Sequence, residues 1–171
     1  MNDLPANFAR VDDRVWRGSR PDAYQARDLI QAGVRTVIDL EWEESDVGLW
    51  PPRAPDSSPV NLVRIRDFEP LPLFAQVQAW FTNAPSLADR HVIAALRAIE
   101  DGPAITYLHC RSGEDRSGVA TAAYQLITKH MPIEDVIAYF RRFKPFWAFA
   151  DVAYIRSIAE RREWFMAQVA G

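Results

Sequence analysis

The side chains best suited to chemistry lie in one short stretch, residues 109–118, which reads H-C-R-S-G-E-D-R-S-G. Cys110 is the only cysteine of the chain, and five residues separate it from Arg116. Apolar residues precede the stretch at 104–108, and a helix-like apolar run follows it at 119–127. A strand, a tight loop and a helix N-terminus form an anion site, because the loop amides and the helix dipole point to one place. The spacing predicts an oxyanion site between a thiol and a guanidinium.

Each residue type in this stretch has a chemical use. Only the thiolate form of a cysteine is a good nucleophile, and loop amides, a helix N-terminus and a nearby cation all favour that form. Gly113 lets the backbone turn so that successive amides face inward. Arg116 can hold two phosphoryl oxygens and the charge of the transition state, and Ser117 can hydrogen-bond the sulfur as a leaving group. A lone cysteine after an apolar strand is more often a core residue, but the whole string in this context favours catalysis.

The stretch resembles the signature loop of the cysteine-dependent phosphatases of the protein-tyrosine and dual-specificity superfamily. Residues 15–21 (V-W-R-G-S-R-P) and 33–40 (G-V-R-T-V-I-D-L) resemble small, atypical dual-specificity members. The resemblance implies a central, mostly parallel α/β sheet of about four to five strands flanked by helices. It also implies a phosphocysteine intermediate without metal or cofactor, in which Cys110 attacks phosphorus and Arg116 binds its oxygens. The phosphate-binding residues that it implies are Arg111, Ser112, Gly113, Glu114, Asp115 and Arg116.

A separate carboxyl group must protonate the leaving oxygen and then act as a base towards water, and the sequence leaves its identity open. The resembled family usually supplies an aspartate from a loop after an earlier strand, and Asp67, at the end of the predicted strand 60–66, fits. Glu69 and Asp56 are weaker candidates. Asp115 resembles a C-x-x-G-x-D-R variant in which this aspartate is proposed to help in proton transfer. Its simpler interpretation is a carboxylate favoured by the helix N-terminus, so geometry must decide.

The substrate class is open as well. Glu114 stands where lipid-phosphate members with this variant often have lysine, and an acid at the rim should repel highly charged inositol phosphates. We therefore expect a dual-specificity-type protein phosphatase with broad activity and a preference for aryl phosphates. The alternatives are a phosphoinositide or other small-molecule phosphatase and a non-catalytic phosphate-binding module. A rhodanese-like sulfurtransferase is less favoured, because its loop is typically shorter.

Other charged groups near the stretch have structural interpretations. His109 is interpreted as a buried group that orients the loop. Arg17, Arg20 and Arg111 can line the mouth of the site, although solvated surface charges are the simpler interpretation. The acidic residues 41–46 are interpreted as a solvated loop.

Two apolar segments remain. Residues 140–149 mix aromatic and basic side chains as nucleic-acid surfaces do, but the chain is acidic and Pro145 interrupts the run. We interpret this segment as core packing between the last two helices. Residues 71–81 form either a lid or a satellite core, and the sequence favours neither.

The elements that must position the loop follow from the apolar patterns. A helix, Gly33 and a β-branched strand in succession favour an α/β fold with a partly parallel sheet. Strands are predicted at 14–17 with a turn at Gly18, and at 34–40, 60–66 and 104–110. Helices are predicted at 22–33, 71–81, 86–100, from the loop to about 130, from 132 onwards, and at 151–168.

Composition narrows the class of protein. The 171 residues suit a single domain spanning 1–171. The net charge of −3 gives no general attraction to nucleic acid, and no apolar run is long enough to insert into a membrane. One cysteine excludes an internal disulfide and a thiolate metal cluster. With no recognisable secretory signal, we expect a cytoplasmic protein whose partner is a phosphorylated protein or a small-molecule phosphate; no oligomeric state is predicted.

Overall fold

The computed structural model describes residues 3–41, 44, 46–65 and 87–171. A five-stranded sheet lies at the centre, in the order β1-β2-β5-β3-β4. Strands β2, β5, β3 and β4 run parallel, and the short β1 pairs antiparallel with β2. The predicted mostly parallel α/β sheet is confirmed. The strands are β1 (Ala9–Arg10), β2 (Val15–Ser19), β3 (Val34–Asp39), β4 (Asn61–Arg64) and β5 (Ile105–Cys110).

Six helices are described: α1 (Ala23–Gln31), α2 (Leu87–Asp101), α3 (Arg116–Ile127), α4 (Ile133–Arg141), α5 (Phe149–Glu160) and α6 (Arg162–Ala170). The single last helix predicted at 151–168 is wrong, because the chain breaks at Arg161, whose φ of −102° and ψ of 23° are not helical. There the Arg161 guanidinium binds the buried Asp89 of α2. The helix predicted at 71–81 lies outside the described residues. Within the described ranges, no helix has the length and apolar character needed to cross a membrane.

The parallel strands all end at one edge of the sheet. β5 ends at Cys110, β3 at Asp39 and β4 at Arg64, and this carboxyl edge is where α/β proteins place their sites. β2 reaches the same edge because it continues through Gly18, where we predicted a turn, and pairs Ser19 with Cys110. That predicted turn is wrong: the strand is held in place by its pairing with β5.

Helix α3, which follows the loop, lies in the core. Every residue from Ser117 to Ile127 is buried, including the polar residues Ser117, Thr121 and Gln125, so the helix is enclosed on all sides. A Cβ added to Gly118 would lie 2.6 Å from the Phe140 ring, so α3 packs directly against α4. This packing fixes the N-terminus of α3 beside the carboxyl end of β5.

Candidate active site

The predicted nucleophile and its predicted sulfur partner lie side by side. Cys110 ends β5 and is 2% exposed, and its Sγ lies 3.4 Å from Oγ of Ser117 in the first turn of α3. Ser117 is fully buried, and its carbonyl accepts a hydrogen bond from the hydroxyl of Thr121 at 2.7 Å. A hydroxyl fixed at this distance can donate to a thiolate and favour the charged form.

The loop between β5 and α3 turns consecutive carbonyl groups outward. They accept hydrogen bonds from residues 7–20, the segment that contains β1 and β2 and ends just beyond β2. The C=O and N–H of one peptide unit point in opposite directions, so the amides that follow these carbonyls point away from the three donors. Such a nest of amides binds phosphate. The bonds are Arg20 N to Arg111 O (3.3 Å), Asn7 Nδ2 to Ser112 O (2.9 Å) and Arg17 Nη2 to Gly113 O.

Gly113 meets two requirements of this loop. Its φ of 75° lies in the left-handed region that disfavours side chains. An added Cβ would also lie 2.6 Å from backbone atoms of Gly18 and Ser19. The loop therefore rests directly on the end of β2, and only glycine allows that approach.

Arg116 begins α3 and reaches across the carboxyl edge of the sheet. Its Nη1 donates to the carbonyl of Leu40, just beyond β3, at 3.2 Å. The side chain thus lies at the same edge as Cys110, from which a planar fork can hold two oxygens of a phosphoryl group.

Asp115 is engaged by a lysine that the sequence did not reveal. Nζ of Lys144 donates to Asp115 and also to Asp151, the latter at 2.8 Å. Burial lowers the pKa of Lys144, but the bonds to both carboxylates outweigh it and raise that pKa. Lys144 therefore competes for the Asp115 carboxyl group that would have to transfer a proton to the leaving oxygen. Lys144 and Asp151 carry no motif and meet the loop only in three dimensions.

His109 and the acidic loop belong to one buried polar network. Nε2 of His109 lies 3.0 Å from Oδ2 of Asp46, which also accepts from Nε1 of Trp50 at 2.6 Å, and Oδ1 of Asp46 accepts from Nε of Arg20 at 2.8 Å. Burial raises the pKa of Asp46, but these partners outweigh it and hold the pKa well below its ordinary value. Glu41 is 2% exposed and Asp46 1%. The prediction of a solvated loop at 41–46 is therefore wrong for both ends, and Arg20 is a network member rather than a free surface charge.

A metal is not needed to hold these acids together. Oxygen or nitrogen atoms of Asp39, Asp46 and His109 lie within 4.8 Å of one another. Asp39 already accepts from Nε of Arg64 at 3.2 Å and from the amide of Glu41 at 2.8 Å, and Asp46 has the partners given above. We interpret the cluster as an ion-pair network behind the loop.

Arg17 is not a solvated surface charge. Its side chain is fully buried on the face of the sheet covered by α3 and α4, with its guanidinium 4.1 Å from the centre of the Phe143 ring. That part of the prediction is wrong, because the strand that carries Arg17 is covered by helices. Arg111, by contrast, is exposed.

The remaining candidates for the general acid lie at different places along the chain. Asp56 pairs with Arg35 at 2.9 Å, near the amino end of β3 and away from Cys110. Hydrogen bonds from Ser58 and then Arg35 hold the pKa of Asp56 below its ordinary value, the opposite of what a proton donor at neutral pH needs. Asp67, Glu69 and the proposed lid at 71–81 lie outside the described residues.

The aromatic segment after α4 is only partly core. Phe140 is 1% exposed, but Phe146, Trp147 and Phe149 are 76%, 84% and 73% exposed. The predicted core packing of residues 140–149 is therefore wrong for this second half. The segment turns outward beyond Lys144, which is anchored on the loop through Asp115.

Comparison by sequence found no relatives: no protein-family model matches the chain, and no curated protein does. Comparison by structure found many. TpbA from P. aeruginosa superimposes with a TM-score of 0.70 at 18% identity, covering 97% of this chain and 92% of that one. The catalytic core of the PP-IP phosphatase Siw14 from S. cerevisiae gives 0.66 at 17%, covering 95% and 96%. Human DUSP28 gives 0.58 at 16%, covering 93% and 97%.

These proteins are cysteine-dependent phosphatases of the atypical dual-specificity type, and this chain has their fold. The similarity covers nearly all of each chain, which agrees with the resemblance noted in the sequence. At identities below one fifth it concerns the fold, so the chemistry must be argued from the site itself.

Proposed function

We propose that this chain, built on the fold of the cysteine-dependent phosphatases, is a phosphomonoester hydrolase that works through a phosphocysteine intermediate. The observation that carries the proposal is the loop between β5 and α3. Its carbonyls are tied outward, its amides face inward, and Cys110 and Ser117 stand 3.4 Å apart at its base. With Arg116 at the same edge, the loop offers a nucleophile and a cradle for a dianionic phosphoryl group.

In the first step the Cys110 thiolate attacks phosphorus. A P–S bond forms as the P–O bond to the leaving group breaks, and the leaving oxygen takes a proton from the general acid. In the second step that residue, now a carboxylate, removes a proton from water. The water oxygen attacks phosphorus, the P–S bond breaks, and Ser117 donates a hydrogen bond to the departing thiolate. The products are an alcohol or phenol and inorganic phosphate.

We assign the general acid to Asp67, and the course of β4 supports this assignment. β4 is parallel to β3 and ends at Arg64 on the carboxyl edge, two strands or about 10 Å from β5. The amide of Ile65 donates to the carbonyl of Asp39 at 2.9 Å, which keeps the chain at that edge. Asp67 follows Ile65 by two residues in the sequence, which matches the position of the acid in the resembled family, in a loop after an earlier strand. Asp115, paired with Lys144, is the less suitable acid.

The test is hydrolysis of p-nitrophenyl phosphate by Cys110→Ser and Arg116→Lys. We expect kcat/KM to fall at least about 10³-fold for the first, which loses the nucleophile. For the second, which keeps the charge but loses the fork, we expect a fall of about 10²-fold. Arg27→Lys is the control, because Arg27 is exposed on α1 and lies outside the loop, and we expect wild-type activity. Hydrolysis by Cys110→Ser at the wild-type rate would refute the proposal.

Two alternatives remain testable in the same assays. Tight binding of a phosphopeptide by the wild type without turnover would favour a non-catalytic phosphate-binding module. Persulfide formation from thiosulfate would favour a rhodanese-like sulfurtransferase. We further propose that residues 1–171 act as one domain in the cytoplasm without metal or cofactor, so activity should survive treatment with a chelator.

For the substrate class we propose phosphorylated protein, with TpbA, whose structure has been solved with phosphotyrosine, as the supporting comparison. The exposed aromatic trio Phe146, Trp147 and Phe149 follows the lysine anchored on the loop. Aromatic surfaces bind peptides at low entropic cost. The similarity to Siw14, a PP-IP phosphatase, supports an inositol pyrophosphate as the alternative substrate. The acidic side chain of Glu114 should repel such a highly charged molecule.

Trp147→Ala separates these classes. We expect a loss of about 10-fold in kcat/KM for a phosphotyrosine peptide and little change for p-nitrophenyl phosphate, which is too small to span the trio. Tyr24→Ala is the control, because Tyr24 is 79% exposed on α1. Faster turnover of an inositol pyrophosphate than of the peptide would favour the small-molecule alternative.

A further inference from the structure

Arg17 is the largest group near the loop that the mechanism above does not use. It is 0% exposed, and among the described residues its Nε and Nη1 have no hydrogen-bond partner. Its Nη2 donates to the carbonyl of Gly113 and lies 3.5 Å from Oγ of Ser117. No described carboxylate pairs with it. A buried guanidinium without a counter-charge is strongly unfavourable, so an anion must be sought nearby.

Two contacts lead from Arg17 to the sulfur. Ser117 Oγ is 3.5 Å from Arg17 Nη2 and 3.4 Å from Cys110 Sγ, so the guanidinium lies within about 7 Å of the sulfur. Arg17 belongs to β2, whereas Arg116 donates to the carbonyl of Leu40 just beyond β3. Since β2 and β3 flank β5 on opposite sides, the two arginines are held by different neighbours of the strand that ends at Cys110.

Among the titratable groups that face Arg17, the sulfur of Cys110 is the main candidate for its counter-charge. Burial lowers the pKa of Arg17, opposed by interactions with Tyr139, Cys110, Tyr107 and Glu114 in that order. Burial also raises the pKa of Tyr107 and of Tyr139, so both phenols stay neutral. Glu114 is partly exposed, and water screens its charge. Cys110, which is 2% exposed, is the remaining group that can supply a buried negative charge.

We propose that Arg17 is a positioning residue that serves as the buried counter-charge of the Cys110 thiolate, while its fork holds the carbonyl of Gly113 outward. The inference rests on the proposed function, because it explains how the nucleophile is kept ionised. It gives the buried cation a partner, and it couples the pairing of β2 with β5 to the reactivity of the sulfur.

The test is a pH titration of the ultraviolet absorbance of the thiolate, which reports Cys110 alone because the chain has one cysteine. Arg17→Gln removes the charge but keeps an amide donor for Gly113, and Arg17→Met removes both. We expect each to raise the midpoint of the titration by about one pH unit, at the low end of the effect of a nearby opposite charge. Arg17→Lys, which keeps the charge, should titrate near the wild type but lose activity with the fork.

Two controls sharpen the result. Arg14→Gln removes an arginine that precedes β2 and also donates to carbonyls, those of Ile99 and Gly102, at the far end of the sheet; its midpoint should match the wild type. Glu114→Gln should leave the effect of Arg17→Gln intact, because Glu114 is not the partner.

The outcomes are distinct. An unchanged midpoint in whichever neutral variant is folded would overturn the inference, even if activity falls. The inference would also be overturned if Arg17→Gln no longer shifted the titration midpoint once Glu114→Gln is present. A wild type with no thiolate below neutral pH would instead refute the proposed function.

Discussion

Gly113→Ala is the sharpest test of how the loop is held. The added Cβ would lie 2.6 Å from backbone atoms of Gly18 and Ser19, and ordinary contact begins at 3.4 Å. The loop and β2 must therefore separate by about 0.8 Å, and neither contact is a side-chain end that can swing away. Alanine in the left-handed region costs a further 1–2 kcal/mol or so.

The expected consequence is a loss of catalysis larger than the loss of stability explains. A misplacement of about 1 Å in a catalytic constellation can reduce the rate about 10²-fold, which corresponds to about 2.7 kcal/mol of transition-state stabilisation. The displacement acts on the pairs Gly18 with His109 and Ser19 with Cys110, which set the position of the sulfur. We therefore expect kcat/KM for p-nitrophenyl phosphate to fall about 100-fold.

Gly48→Ala supplies the matched control. Gly48 has a φ of 86°, but nothing lies within 4 Å of an added Cβ. This variant should lose about the same 1–2 kcal/mol in urea unfolding and keep wild-type kcat/KM. If Gly113→Ala is as active as Gly48→Ala, the close packing of the loop on β2 does not matter for catalysis, and the reasoning fails.

Two further predictions follow from single carboxylates. Asp67→Asn should lower kcat by about 10²–10⁴-fold and remove the high-pH limb of the pH–rate profile. Asp115→Asn should lower kcat less than about 10-fold, because the Asp115 carboxyl group is engaged by Lys144; the reverse order would assign the acid to Asp115. Burial raises the pKa of Asp12, but hydrogen bonds from Lys129, Tyr124 and the backbone outweigh it and lower the pKa to about 2 from 3.8. Because the folded-state pKa is the lower one, its stabilisation is complete above about pH 4 and disappears as the pH falls through about 2. Asp12→Asn should therefore lower the free energy of unfolding by about 1 kcal/mol at pH 7, after allowance for solvent screening, and not at pH 2; an equal loss at both pH values in urea titrations would contradict this.

The sequence alone determined the loop and its neighbours along the chain. Cys110, Gly113, Arg116 and Ser117 lie within eight residues of one another, so their spacing between an apolar strand and a helix carried the chemistry. Short apolar, β-branched runs likewise predicted β3 and β5, the succession of helix, Gly33 and strand favoured a partly parallel sheet, and the family resemblance implied a mostly parallel one. Local patterns of this kind depend on neighbours in sequence, which is why they could be recognised without coordinates.

Only the tertiary structure decided what surrounds the loop. Arg17 looked like a surface charge and is buried beneath α3 and α4, and Asp46 looked solvated and is held by His109 and Arg20. Lys144 reaches Asp115 from 29 residues away. A charged residue has the same identity in a helix-covered strand as on a surface, so its partner cannot be inferred from composition or spacing. The sequence specified which groups react, and the packing of β2 and α4 against the loop determined which charges stabilise them.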